Sequence, residues 1–251
     1  MFGRRGNQFR RPPGPPLLFV HIPKTAGTSL RRMLENTLGL NAVWPSDDDL
    51  RRRPNGFYPS EAEILADWPS IRPYFCLTGH FFASFADRLP VHHRTAVFLR
   101  DPIQRTLSTL AHHHRTTGIP PHQLLDDAEF VAERVRNRQT MILGKTNDSL
   151  TRAGYARIFD RALEVVDAFD FVGITERFRD SCIIFDATFG TGIEKAIRKE
   201  NVMRPNGTEF GELLPRILPL VDLDRELYAH AVARFERDHR RACSSRPALP
   251  G

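Results

Sequence analysis

Polar and apolar positions along this chain fall into two textures. Short unbroken apolar runs occur at Leu17–Ile22, Tyr74–Thr78 and Thr95–Leu99, and a fourth, DFVGI, at Asp170–Ile174. Runs of that length and continuity predict strands buried on both faces of a sheet. Between them, apolar residues recur every three or four positions, the period of an amphipathic helix. Leu30, Met33, Leu34 and Leu38 do so from Thr28 onward, with Gly39 as the stop. Ser60 and Glu63 form a capping-box pattern ahead of EAEILADW. Asp101 as N-cap and Pro102 at the first helical position predict a helix through about Arg115.

Further along, Asp126–Leu143 and Leu150–Phe169 read as amphipathic helices, and another runs from about Glu176 to Phe189. The last, Asp222–Arg240, puts Leu223, Leu227, Ala231 and Phe235 on one face. Residues 41–60 read as an irregular, charge-segregated surface excursion, and Asn201–Thr208 as a loop with turn signals. Strands alternating with helices predict an α/β domain: three α/β/α layers around a mainly parallel sheet of four or five strands. The expected organisation is one domain over residues 17–242. It is flanked by a basic, proline-rich tail at 1–16 and a short tail at 243–251. In such sheets ligands bind beyond the carboxyl ends of the strands.

Composition narrows the function classes. The formal net charge of +6 favours anionic partners. No zinc-knuckle, RNP or KH signature accompanies that charge, so the reading is no nucleic acid. No apolar run approaches the roughly 18 residues of a membrane span, and residues 1–16 lack the apolar core of a secretory signal. Three cysteines, Cys76, Cys182 and Cys243, form no disulfide framework. The expected compartment is therefore the cytoplasm.

The chemistry concentrates at strand ends. After the first strand comes Pro23-Lys24-Thr25-Ala26-Gly27-Thr28-Ser29, a turn feeding a helix. Unpaired amides at the start of that helix, its dipole and the hydroxyls of Thr25, Thr28 and Ser29 would make an anion site. The bland alternative is a plain β–α connection. Of 36 basic side chains only four are lysines, and Lys24 is one of them. It precedes the glycine, whereas the lysine of the common P-loop follows it. After the third strand, Arg100 is followed eight residues later by Ser108, a pair able to clasp a phosphate, or else a surface arginine and a solvated serine. His80, after the second strand, is a candidate general base. His112-His113-His114 lack the spacing of metal ligands on one helix face, and His92-His93 reads as part of a short polar turn.

HIPKTAGTSL and FLRDPIQRTLS together resemble the donor-binding motifs of sulfotransferases that use 3′-phosphoadenosine 5′-phosphosulfate (PAPS). The likeness is to the carbohydrate type, similar to heparan sulfate 2-O-sulfotransferases and their bacterial relatives. Gly79-His80, Arg136-Asn-Arg-Gln139, Phe171–Glu176 and Asp224–Tyr228 extend it over most of Leu17–Arg240. The resemblance implies a P-loop-like fold and metal-free, in-line transfer of the sulfuryl group to an acceptor hydroxyl on an oligo- or polysaccharide. The product is 3′-phosphoadenosine 5′-phosphate (PAP). It implies that Lys24, Thr25, Ala26, Gly27, Thr28 and Ser29 hold the 5′-phosphosulfate, with Lys24 stabilising the leaving oxygen. Arg100 and Ser108 hold the 3′-phosphate, and His80 takes the acceptor proton near the usual imidazole pKa of about 6.5. The heparan-type pattern has a histidine where this chain has Thr78. Two rivals are an ATP-dependent P-loop kinase and a non-catalytic polyanion-binding module.

Overall fold

The computed structural model describes residues 12–54, 56–146, 154–197 and 211–244. The loop expected at Asn201–Thr208, most of both tails and the start of the helix expected from Leu150 lie outside these residues. Five strands form one all-parallel sheet: β1 (Leu17–Val20), β2 (Val43–Trp44), β3 (Cys76–Gly79), β4 (Arg94–Leu99) and β5 (Phe171–Ile174). Their order is β2-β3-β1-β4-β5. The α/β expectation holds. The chain leaves β1 toward the β2 edge and leaves β4 toward β5, so the ordering reverses between β1 and β4. That is the topological switch point, where a crevice opens at the strand ends.

Helix α1 (Gly27–Leu38) follows β1, and α4 (Pro102–Thr117) follows β4. The Asp101 carboxylate accepts from the Gln104 amide at 2.8 Å, as its N-cap position predicts. Helix α3 (Glu61–Asp67) opens on the reciprocal Ser60–Glu63 capping box. Leu18 and Leu77, partners in the β1–β3 register, bury against Ile64 and Phe85. The larger core gathers Phe19, Leu30, Leu34, Phe98, Phe171 and Phe185 around the sheet.

Three expectations need correction. Residues 41–60 are not irregular throughout. Val43, fully buried, begins β2 beside β3, and Ser46 and Asp49 form a second capping box opening α2 (Asp47–Arg52). Two residues of edge strand are too short to carry a period that sequence can show.

The segment Asp126–Leu143 is not one helix. Short turns α5 (Pro121–Leu124) and α6 (Ala128–Phe130) lead into a π-helical turn at Val131–Val135. The chain breaks at Asn137 (φ 42°) and restarts as α7 (Arg138–Gly144). The break leaves helix-end carbonyls free, and the buried Arg105 guanidinium donates to those of Arg134 (2.9 Å) and Val135 (3.4 Å).

After α8 (Gly154–Ala168), α9 (Phe178–Phe189) and α10 (Leu214–Ile217), the last described element is α11 (Asp222–Ser244). Its buried stripe holds Leu227, Ala231 and Phe235 as expected, but Asp224 takes the place expected for Leu223. The Asp224 carboxylate accepts from the amides of Gln139 (3.1 Å) and Thr140 (2.7 Å) and so caps α7.

Candidate active site

The loop between β1 and α1 is built by backbone strain. Lys24 (φ 72°) and Ala26 (φ 68°) both sit in the left-handed region, which costs a residue bearing a Cβ roughly 1 kcal/mol or more. Thr25 between them is fully buried, and its hydroxyl donates to the Ile22 carbonyl at 2.8 Å. Its side chain therefore shapes the loop, and its amide is the part left for an anion. No side chain caps α1, because the N-cap residue is Ala26. The first amides of Gly27, Thr28 and Ser29 are thus the open positive end of a 12-residue helix. Thr28 is exposed and Ser29 half-buried.

Gly27 is required by a neighbour that the sequence reading passed over. A Cβ at this position would lie 2.1 Å from His21 Cδ2 and 2.3 Å from His21 Nε2. The His21 ring, at the end of β1, packs directly on the start of α1.

Arg100 ends β4 and crosses the crevice. Its Nη1 donates to the Lys24 carbonyl at 3.1 Å, which brings the two motifs into one site. Its own backbone is fixed by Gln139, whose Oε1 accepts from the Arg100 amide (3.0 Å) while Nε2 donates to the Arg100 carbonyl (2.9 Å). Glu176, just past β5, accepts from the Asp101 amide (3.1 Å) and the Tyr228 hydroxyl (2.8 Å), and lies 3.9 Å from Arg100 Nε. Ser108 is half-buried two turns along α4. Burial lowers the Lys24 ammonium below its ordinary pKa, and Arg115 and Arg100 lower it further. His112 is lowered by burial first and then by Lys24. His112 and Arg115 of α4 thus lie close enough to Lys24 for their charges to interact, and Ser108 shares their side of the helix by its spacing.

His80 follows β3 and continues the β1–β3 register beside His21, so both rings stand on the α1 face of the sheet. Their centroids are 4.9 Å apart, and Tyr58 closes a three-ring group at 4.7 Å from His80 and 5.8 Å from His21. His80 is exposed at its edge yet ringed by protein. Desolvation pulls its pKa down to about 4, helped by the cations of Arg138 and Arg134. The expectation of an imidazole titrating near its usual value is corrected accordingly. The surroundings of His80 favour the neutral ring, the form able to accept a proton.

Among the other histidines, His93 is buried in the fold. Its Nε2 shares a hydrogen bond with the Tyr74 hydroxyl (2.8 Å), and its Nδ1 donates to the Val91 carbonyl (2.7 Å). Cys76, Cys182 and Cys243 form no disulfide among the described residues. Sequence reasoning missed His21 and Tyr58 as parts of the site, and the framing roles of Gln139 and Glu176. His21 was printed inside the loop motif, while Gln139 and Glu176 were visible only as weak motif matches. Tyr58 sits in the segment read as an excursion and carried no signal.

No family profile matches this chain, and no curated protein sequence is significantly similar to it. Among solved structures, a sulfotransferase from Alicyclobacillus acidocaldarius aligns with 92% of this chain and 99% of its own length, at 17% identity and a TM-score of 0.48. A likeness of that degree carries no functional weight, and the chemistry must rest on the site.

Proposed function

We propose that this protein is a sulfotransferase that moves the sulfuryl group of PAPS to an acceptor hydroxyl on a carbohydrate. The observation that carries the reading is the Arg100–Lys24 bridge across the switch point. It puts an anion-binding helix start and a second phosphate-seeking arginine in one crevice. A donor with anions at both ends of an adenosine suits that spacing of charge. The paired motifs HIPKTAGTSL and FLRDPIQRTLS support the same donor.

In this reading the amides of Gly27, Thr28 and Ser29 hold the 5′-phosphosulfate and Arg100 with Ser108 holds the 3′-phosphate. Lys24 supplies a compact positive charge where the leaving oxygen gains negative charge, an interaction stronger in the transition state than in the ground state. His80, neutral and partly open, takes the proton of the attacking hydroxyl from the neighbouring strand end. The S–O bond to the acceptor forms as the S–O bond to PAP breaks, and the proton passes to the imidazole. The Asp101 carboxylate is engaged as the α4 cap, which favours this reading over a strand-end magnesium ligand of a kinase.

No helix among the described residues is long and apolar enough to cross a membrane. Three cysteines that form no disulfide among the described residues suit our proposal of a reducing, cytoplasmic setting. The test is transfer of labelled sulfate from PAPS to a panel of oligosaccharides in the presence of a chelator. Labelled product supports the reading. Transfer of phosphate from ATP instead, or binding of polyanions with no transfer, would replace it.

A further inference from the structure

Beneath the loop, a column of buried polar atoms lacks partners. His21 and Arg31 are each only 6% exposed. His21 Nδ1, Arg31 Nε and Nη1, and the Thr78 hydroxyl are all buried without a hydrogen bond. The geometry explains why they gather. Four residues of α1 rise about 6 Å, and two residues of strand rise about 6.5 Å. The α1 residues Gly27, Arg31 and Glu35, all buried, therefore step in phase with His80, Thr78 and Cys76 down β3. Gly27 meets His21 at the top, and Arg31 follows one turn below. The remaining Arg31 nitrogen, Nη2, is bound to Asp47.

Arginine carries donors only. A cation below His21 favours the imidazole tautomer whose lone pair faces it, across a gap that a buried water of the kind such orphaned groups hold can bridge. The hydrogen then sits on the opposite nitrogen, Nε2, which is the atom lying against Gly27 at the mouth of the anion loop. A wall of pure hydrocarbon would fill this place without leaving a nitrogen unpaired, so a phenylalanine would be the better residue if packing were the whole role.

We propose that His21 is a neutral hydrogen-bond donor of the anion loop, its tautomer set by Arg31 and its Nε2–H directed at the 5′-anion of the bound donor. The inference rests on the sulfotransferase reading for the identity of that anion, but not for the tautomer. The ring remains uncharged because burial and then the cations around it oppose protonation: His80 on β3 when protonated, Arg31 on α1 and Lys24 on the loop. Its pKa is lowered to about 3, and the third neighbour ring, Tyr58, brings no charge at neutral pH.

The test has two parts. In the wild-type chain labelled with ¹⁵N-histidine, two-bond nitrogen–proton spectra identify each ring's tautomer. The expected result is an Nε2–H His21 that stays neutral from pH 8 to pH 5, with its Nε2 proton shifting when pyrophosphate or PAP is added. An Nδ1–H ring, or an imidazolium at pH 6, would overturn the proposal without any variant being made. The second part compares PAP with adenosine 3′-phosphate, which lacks the 5′-anion. His21→Phe should narrow the preference for PAP about tenfold, as loss of one charge-assisted donor implies. It should leave the affinity for adenosine 3′-phosphate unchanged. An unaltered preference in a folded His21→Phe contradicts the assignment. If the wild type binds no PAP but pyrophosphate shifts an Nε2–H His21, the sulfotransferase reading fails and the donor role of His21 stands.

Discussion

Lys24 is held where a lysine does not rest easily. Its left-handed backbone and the Arg100 bond to its carbonyl fix the start of its side chain, and partial burial weakens its hold on its proton. A preorganised cation of this kind acts mainly on the transition state. Lys24→Ala should lower kcat about a hundredfold or more while PAP affinity, measured by calorimetry, falls much less. Equal losses in both would mean that Lys24 only binds. For His80, His80→Ala should keep PAP affinity and lose about 10²–10⁴ in acceptor sulfation. The pH dependence has a definite sign. Burial and the Arg138 and Arg134 cations hold the imidazole neutral, so the wild-type rate should stay level as pH falls to about 5 and drop only toward its pKa of about 4. Arg138→Met removes one of those cations, stabilises the protonated ring and should move the drop to higher pH. An acid limb near pH 6.5 in the wild type, unmoved in Arg138→Met, would assign the base elsewhere.

At the scale of elements, the legible parts were those in which a local rule and the fold agreed. The strand from Leu17, the capped starts at Ser60 and Asp101 and the last helix all carry their signals within a few residues. The turn from β1 into α1 was legible for the same reason, since its glycine and hydroxyls lie next to one another. Long-range causes were not legible. The π turn and the break at Asn137 present carbonyls that the guanidinium of Arg105, some thirty residues earlier, takes up. Asn137 in turn is tied to the start of α11, its Nδ2 donating to Asp222 (2.8 Å) and its Oδ1 accepting from the Asp224 amide (3.1 Å). Period alone put Leu223 in the core, while the polar needs of Gln139, Thr140 and Arg105 put Asp224 there. Its carboxylate is strongly desolvated, which raises its pKa, and Arg105 opposes that rise. Asp224→Ala leaves two buried amides without their acceptor and removes the buried negative charge that offsets the Arg105 guanidinium. It should destabilise the fold by about 3–5 kcal/mol in urea unfolding, the range for breaking a buried charged pair. A loss below 1 kcal/mol would mean that α7 is capped by something else.

For the whole molecule, the sheet order decides where chemistry is possible. Because β1 sits between β3 and β4, the loop after β1, the arginine after β4 and the histidine after β3 converge at adjacent strand ends although they are far apart in the chain. The net charge of +6, with arginine the main basic residue, favours anionic partners for the molecule as a whole. Gln139 and Glu176 brace Arg100 from two other elements, so its position is a property of the assembled domain.

The central claim is that this crevice reads both ends of a 3′-phosphorylated nucleotide, and calorimetric titration of PAP against ADP, repeated with Arg100→Ala, tests it most directly. The wild type should bind PAP at least about tenfold more tightly than ADP, as expected for a charged ligand group held by a charge-assisted bond. Arg100→Ala should bring the two nucleotides close together. Equal affinity of the wild type for PAP and ADP, or a PAP preference that survives Arg100→Ala intact, would contradict the account.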